Sequence, residues 1–139
     1  MSLFPVLQTT GSALYVNRIW MDAIADNIAN INTINPYDQA AFQERFVVAE
    51  AITSSDSDPI GVGGGTRVAS VQFGNAEGRL RYQPDHPYAN EQGVVRYPDM
   101  NLGDQMTQLI MAQRSYQMNL TVIDRARDAY MQALNIQPR

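Results

Sequence analysis

A seven-residue apolar repeat runs through both ends of this 139-residue chain, and it limits the fold more than any other feature. From Leu3 the positions Leu3, Leu7, Thr10, Leu14, Asn17, Met21, Ile24, Ile28 and Ile31 alternate by four and three. One row, Leu7, Leu14, Met21 and Ile28, is apolar throughout; its companion is polar at Thr10 and Asn17. At the other end Leu102, Leu109, Tyr116, Ile123 and Tyr130 form one row, and Met106, Gln113, Leu120, Arg127 and Leu134 form the second. A heptad held over four repeats is the pattern of a helix that packs lengthwise on another helix. At 1.5 Å rise per residue the two helices would measure about 43 Å and about 50 Å. That is too long for a compact domain of this size, so the expectation is two long terminal helices paired as a coiled coil.

Between the helices the pattern changes. Residues 42–52, "FQERFVVAEAI", lean to strand because of Val47, Val48 and the aromatics. Ala69, Val71 and Phe73 share one side of "RVASVQF", Leu80 and Tyr82 one side of "GRLRYQ", and Val95 and Tyr97 one side of "GVVRYP". Turn pairs at Gly74–Asn75, Glu77–Gly78, Pro84–Asp85 and Gln92–Gly93 separate these pieces. The Ser, Asp and Gly of "SSDSDPIGVGGG" (54–65) read as a flexible loop. The fold class is therefore α+β: a helical domain from 1–36 and 98–139, enclosing a β-rich insert at 37–97.

No constellation for chemistry stands out. His86 is the single histidine, bracketed by Pro84 and Pro87, and pairing it with Asp85 would need adjacent side chains that diverge on an extended backbone. Asp56 and Asp58 lack the further acids and closing Glu of a calcium loop. "GVGGG" lacks the Lys–Ser/Thr of a phosphate loop. With no cysteine, thiolate zinc sites, disulfides and cysteine nucleophiles are excluded. The expectation is no catalytic residue, no metal and no cofactor. Fourteen acids against ten basic residues give a net charge of −4, which opposes an electrostatic footprint for nucleic acid. No segment has the apolar length of a membrane span, and the first residues lack the layout of a cleaved secretory signal.

The helices carry large apolar residues off their seams: Val6, Ile19 and Trp20 on the first, and Ile110, Met111, Met118, Val122 and Met131 on the second. A two-helix contact buries one stripe of each, and apolar surface left over marks an interface. Neighbouring chains are expected to cover it. "DNIANINTINP" (26–36) then poses the question of its four asparagines. Asn32 and Asn35, ahead of Pro36, are expected to end the helix through the left-handed conformation that Asn tolerates. Asn27 and Asn30 share a face roughly opposite the Ile24–Ile28–Ile31 stripe, where their amides would reach a neighbouring subunit.

These asparagines also carry a resemblance. "NIANINT", with Asn27, Ala29, Asn30 and Thr33, resembles the N-terminal signature of the bacterial flagellar axial proteins, which include rod, hook and hook-associated subunits. "LRYQPDHPYANEQGVVRYPDMN" (80–101) is similar to a stretch of a proximal-rod member of that family at Tyr82, Pro84, Pro87, Ala89, Gly93, Pro98 and Asn101. "RSYQMN", with Arg114, Ser115, Tyr116 and Asn119, resembles the family's C-terminal helix motif.

The resemblance implies a structural subunit of the basal-body rod in the cell envelope or periplasm, exported by the flagellar type III apparatus without a cleaved signal. It implies stacking with copies of itself and with the rod proteins FlgB, FlgF, distal FlgG and base protein FliE, as a hollow shaft that transmits torque and leaves an export channel. Residues Leu7, Leu14, Met21, Ile24, Ile28, Ile31, Leu102, Met106, Leu109, Tyr116, Leu120, Ile123, Tyr130 and Leu134 would pack between helices and subunits. The motif residues would be subunit contacts. The competing reading is a helical-hairpin adaptor whose β insert binds a protein partner; a hydrolase built on His86 and Asp85 ranks far behind.

Overall fold

A computed structural model describes residues 4–52 and 64–135. Helix α1 spans Phe4–Asn30 and helix α2 spans Leu102–Asn135; between them lie strands β1 (Arg45–Ala51), β2 (Thr66–Phe73), β3 (Arg79–Tyr82) and β4 (Val94–Tyr97). The chain is α+β, with its strands between two helices that pack on each other. Asn101 starts α2: its side-chain oxygen accepts the backbone N–H of Gly103 at 2.8 Å, which satisfies one of the free donors of the first turn.

The helices are antiparallel in one register. Asn17 Nδ2 donates to Ser115 Oγ at 3.0 Å, and ten residues further along α1 Asn27 Nδ2 donates to Gln105 Oε1 at 3.1 Å, ten residues back along α2. Trp20, three residues after Asn17, is thereby level with Ala112, three before Ser115. Ala112 is fully buried.

This seam differs from the expected one. Leu109, Tyr116 and Ile123 of the first α2 row are half-buried, but the ends of that row, Leu102 and Tyr130, are exposed. The whole companion row, Met106, Gln113, Leu120, Arg127 and Leu134, is exposed. The covered row begins one residue earlier: Gln105 and Ala112 are buried, Asn119 and Ala126 half-buried. One residue is about 100° of helix rotation, and small or polar residues occupy the contact because the partner helix supplies the bulk. On α1 the row with polar members is the deeper one. Thr10, Asn17 and Ile24 are buried, whereas Leu7, Leu14, Met21 and Ile28 are half-buried; Ile31, just past the helix end, is half-buried as well.

The insert consists of two separate two-stranded antiparallel sheets, β1–β2 and β3–β4. Residues 45–51 form a strand, as their β-branched and aromatic content predicts. The register runs from Arg45 opposite Phe73 to Val48 opposite Ser70, then shifts so that Ala49 faces Val68. Ala69 is the extra residue of a bulge, so it breaks the expected Ala69–Val71–Phe73 face. In β3–β4 the pairing of Arg81 with Val95 sets Leu80 and Tyr82 on the face opposite Val95; Val95 is fully buried, while all four residues of β3 are exposed. The β3–β4 sheet abuts the Gly78 turn, where φ is +65° and an added Cβ would lie 2.1 Å from the Tyr97 carbonyl oxygen. Only glycine fits there.

The helix end is also made differently from expectation. Among the described residues no non-glycine has a positive φ, so no asparagine adopts a left-handed conformation. Instead Asn30 Nδ2 donates back to the Asp26 carbonyl at 2.8 Å, Thr33 Oγ1 donates to Asn30 Oδ1 at 3.2 Å, and Thr33 N–H donates to the Asn30 carbonyl. Asn35 leaves the helix altogether: its N–H donates to the Arg96 carbonyl at 3.2 Å and its side chain to the Ala40 carbonyl at 2.6 Å. Residues 53–63, which include Asp56, Asp58 and most of the expected flexible loop, lie outside the described residues, as do Leu3 and residues 136–139.

Candidate assembly interface

Two features organise the surface. The first is a polar node where α1, α2 and the start of β1 meet. Asn27 is 1% exposed and lies beside Ile24 on the buried face of α1, not opposite it. Its Oδ1 accepts the Arg45 N–H at 2.9 Å, and its Nδ2 donates both to the Arg45 carbonyl at 3.1 Å and to Gln105. The amide therefore pairs with Arg45 as a neighbouring strand would, and both of its protons are used within the chain. Gln105, 1% exposed, donates through its own Nε2 to Glu44 Oε1 at 2.6 Å. Arg45 and Asp26 form an ion pair at the rim, and the Arg45 guanidinium lies 5.6 Å above the Phe42 ring. Burying these two amides is tolerable only because their four hydrogen bonds are made; one missing partner would leave a desolvated polar group.

The far end of the β1–β2 hairpin is held by a second clasp. Thr66 N–H donates to Ser12 Oγ at 3.0 Å, and Ser12 Oγ donates to the Thr9 carbonyl at 2.7 Å. Gly65 has φ +95°, and a Cβ there would sit 2.2 Å from Ser12 Oγ. The third tie fixes β3 to the approach to α2. Arg79 donates to the Pro98 carbonyl at 3.3 Å and to the Met100 carbonyl, and pairs with Asp99. Sequence reasoning singled out Asn27 and Ser115 but not Asn17, Gln105, Glu44 or Arg45 as their partners. The signal for Asn17 was present as a polar break in a heptad row; Gln105 had none.

The second feature is the exposed apolar surface of α2. Of its 34 residues only Gln105 and Ala112 are buried. Leu102, Met106, Ile110, Met111, Met118, Leu120, Val122, Tyr130, Met131 and Leu134 all expose 41% or more of their surface. Among the motif residues, Ala29 and Arg114 are exposed; Asn30, Thr33, Ser115, Tyr116 and Asn119 are half-buried. In the antiparallel register Asp128 is level with Phe4, so the last seven described residues of α2 run beyond the described part of α1. Such surface in water is unfavourable by about 25 cal/mol per Å² of apolar area and is the usual mark of a contact region.

His86 serves its turn. Its Nδ1 accepts the Tyr88 N–H at 3.1 Å, its ring lies 5.4 Å from that of Tyr88, and its backbone N–H donates to the Gln83 carbonyl. Among the described residues there is no group of three or more His, Asp or Glu placed to hold a metal ion, and no helix is long and apolar enough to cross a membrane.

The family described as "Flagella basal body rod protein" matches residues 7–36, and that described as "Flagellar basal body rod FlgEFG protein C-terminal" matches residues 91–136. These ranges are α1 with its Asn motif, and β4 with α2. A flagellar basal-body rod protein FlgC of Borreliella burgdorferi is 30% identical over 149 aligned residues, covering 98% of each chain. That of Salmonella typhimurium is 29% identical over 136 residues, again 98% of each. That of Bacillus subtilis is 28% identical over 148 residues, 98% of this chain and 99% of the relative.

Proposed function

The chain belongs to the FlgC family of flagellar basal-body rod proteins, and on that premise we propose that it stacks helically into a hollow drive shaft, its α2 surface covered by neighbouring subunits. It is a structural subunit of the rod and assembles with other basal-body components. In this reading the neighbours are copies of itself and the rod proteins FlgB, FlgF, FlgG and FliE. The flagellar export apparatus delivers it without a cleaved signal, and the shaft stands in the periplasm. The work done is mechanical: torque is carried along the stacked helices while the bore passes later subunits. The self-contained adaptor is set aside by family membership across the whole chain.

One observation carries this proposal: ten large apolar side chains stand exposed on a helix that contributes only two buried residues to its own fold. Leu102, Met106, Leu120, Tyr130 and Leu134, foreseen as packing positions, are among them and are free to meet another chain. Exposed Ala29 and Arg114 are the motif positions open to a neighbour. The seven methionines of the chain suit contacts with non-identical partners, since the unbranched thioether adapts to irregular surfaces.

Electron microscopy of basal bodies from cells expressing the Met111→Glu/Met118→Glu variant tests the proposal. Rods should be missing or truncated, with the variant protein still produced and exported. Intact rods containing the variant would remove the basis for covering this face with neighbours.

A further inference from the structure

The α1–α2 seam is polar at two levels, and polar contacts discriminate where apolar ones do not. We propose that the Asn17–Ser115 and Asn27–Gln105 layers are the specificity determinants that commit α2 to its own α1 in a single antiparallel register. They do so against slipped pairings and against pairing with the wrong helix of another copy.

The faces of α2 differ in what they can select. Its bare side offers Met111, Met118 and Val122 to any apolar helix, in any register, because dispersion and burial carry no direction. A free subunit presenting such a side alongside a purely apolar seam would have many pairings of similar energy. The covered side is different. Asn17 is 7% exposed and Asn27 and Gln105 each 1%, so a pairing that displaces their partners leaves desolvated amides. Each orphaned amide disfavours the misaligned pair by about tenfold to a hundredfold. A slip of one heptad would move both layers at once by about 10 Å. It would also set Trp20 level with Asn119 or Gln105 in place of Ala112, so the steric and polar demands agree. Two helices of type α2 pressed together would bring Gln105 against neither asparagine. The same logic operates where a single buried Asn sets orientation and register in helical coils.

Register matters because it decides which side of α2 stays available and at what height. This inference concerns the fold of one subunit and stands whether or not the shaft reading holds.

The chain has no cysteine, so introduced pairs report the register directly. Ala13 and Asn119, both half-buried, are level in the native register; Ala13 and Ala126 are one heptad apart from level. In the otherwise native chain, Ala13→Cys/Asn119→Cys should oxidise within the molecule and Ala13→Cys/Ala126→Cys should not. With Asn17→Val, Ser115→Ala and Gln105→Leu added, the slipped pair and crosslinks between molecules should rise at least about tenfold at unchanged helix content. Exchanging the first layer, Asn17→Ser with Ser115→Asn and Gln105 native, should restore the single native crosslink. Persistence of that crosslink alone after both layers are removed overturns the proposal. Loss of helix without any slipped product overturns it equally, since the layers would then serve stability and not alignment.

Discussion

Asn27 donates to Gln105 at 3.1 Å across 78 residues of sequence, and neither side chain keeps more than 1% of its surface in water. Because the same amide also holds both backbone groups of Arg45, one side chain joins two helices and a strand. Replacing it with an isosteric apolar group should orphan the Arg45 N–H and carbonyl together. Asn27→Leu is expected to lower the unfolding free energy by about 2–4 kcal/mol, read from denaturant titration of the purified chain. A loss below about 0.5 kcal/mol would mean that water replaces the amide at no cost.

Gly78 should tolerate no side chain. Its φ of +65° and the 2.1 Å approach of a Cβ to the Tyr97 carbonyl act together. Gly78→Ala is expected to cost at least about 2 kcal/mol and to loosen the β3–β4 pair. Backbone amide shifts of Arg79–Tyr82 and Val94–Tyr97 would report the loosening. An unchanged melting temperature would contradict the strain.

Asn101 is a cap, and a cap has a known worth. Asn101→Ala should destabilise by about 1 kcal/mol, while Asn101→Ser or Asn101→Asp should retain most of the stability. Equal losses for all three would point to some role other than the bond to Gly103.

The bare side of α2 predicts a separation of stability from assembly. Met111→Glu/Met118→Glu should change the unfolding free energy of the isolated chain by no more than about 0.5 kcal/mol per site, as for other exposed positions. Co-sedimentation with other rod subunits should nonetheless be lost. Strong destabilisation of the lone chain would show that this side packs within the molecule.

Amide hydrogen exchange should divide α2. Around Gln105–Tyr116, where the helix faces α1, amides should exchange slowly; residues 129–135, level with no described part of α1, should exchange at least about a hundredfold faster in the isolated chain. Uniform protection to Asn135 would require a partner for that end.

Much of this was legible in residue patterns, for identifiable reasons. The helices announce themselves through long heptads, and β1, β2, β3 and β4 fall where β-branched and aromatic residues alternate between turn pairs. The α2 seam was not legible, because Gln105, Ala112 and Asn119 leave no hydropathy trace. What marks the seam is a pair of asparagines on the opposite helix, Asn17 bonding Ser115 and Asn27 bonding Gln105. Nor could spacing separate Asn27 from Asn30. Both are amides on adjoining turns, yet one is sealed under β1 and the other bonds its own helix end. The position of Arg45 decides between them, and nothing local to α1 encodes it. The bulge at Ala69 likewise depends on how β2 meets β1, so strict alternation misassigned that face.

The β1–β2 hairpin is fastened to α1 twice, by Asn27 at its root and by Ser12 near its tip. Fifteen residue steps of helix separate these fasteners, about 22 Å. A flap hung from one pin swivels freely; two pins that far apart leave it only a hinge line along the helix. Twisting α1 must therefore carry the hairpin round with it, and a push on the hairpin is delivered to the helix as leverage with little lost in slack.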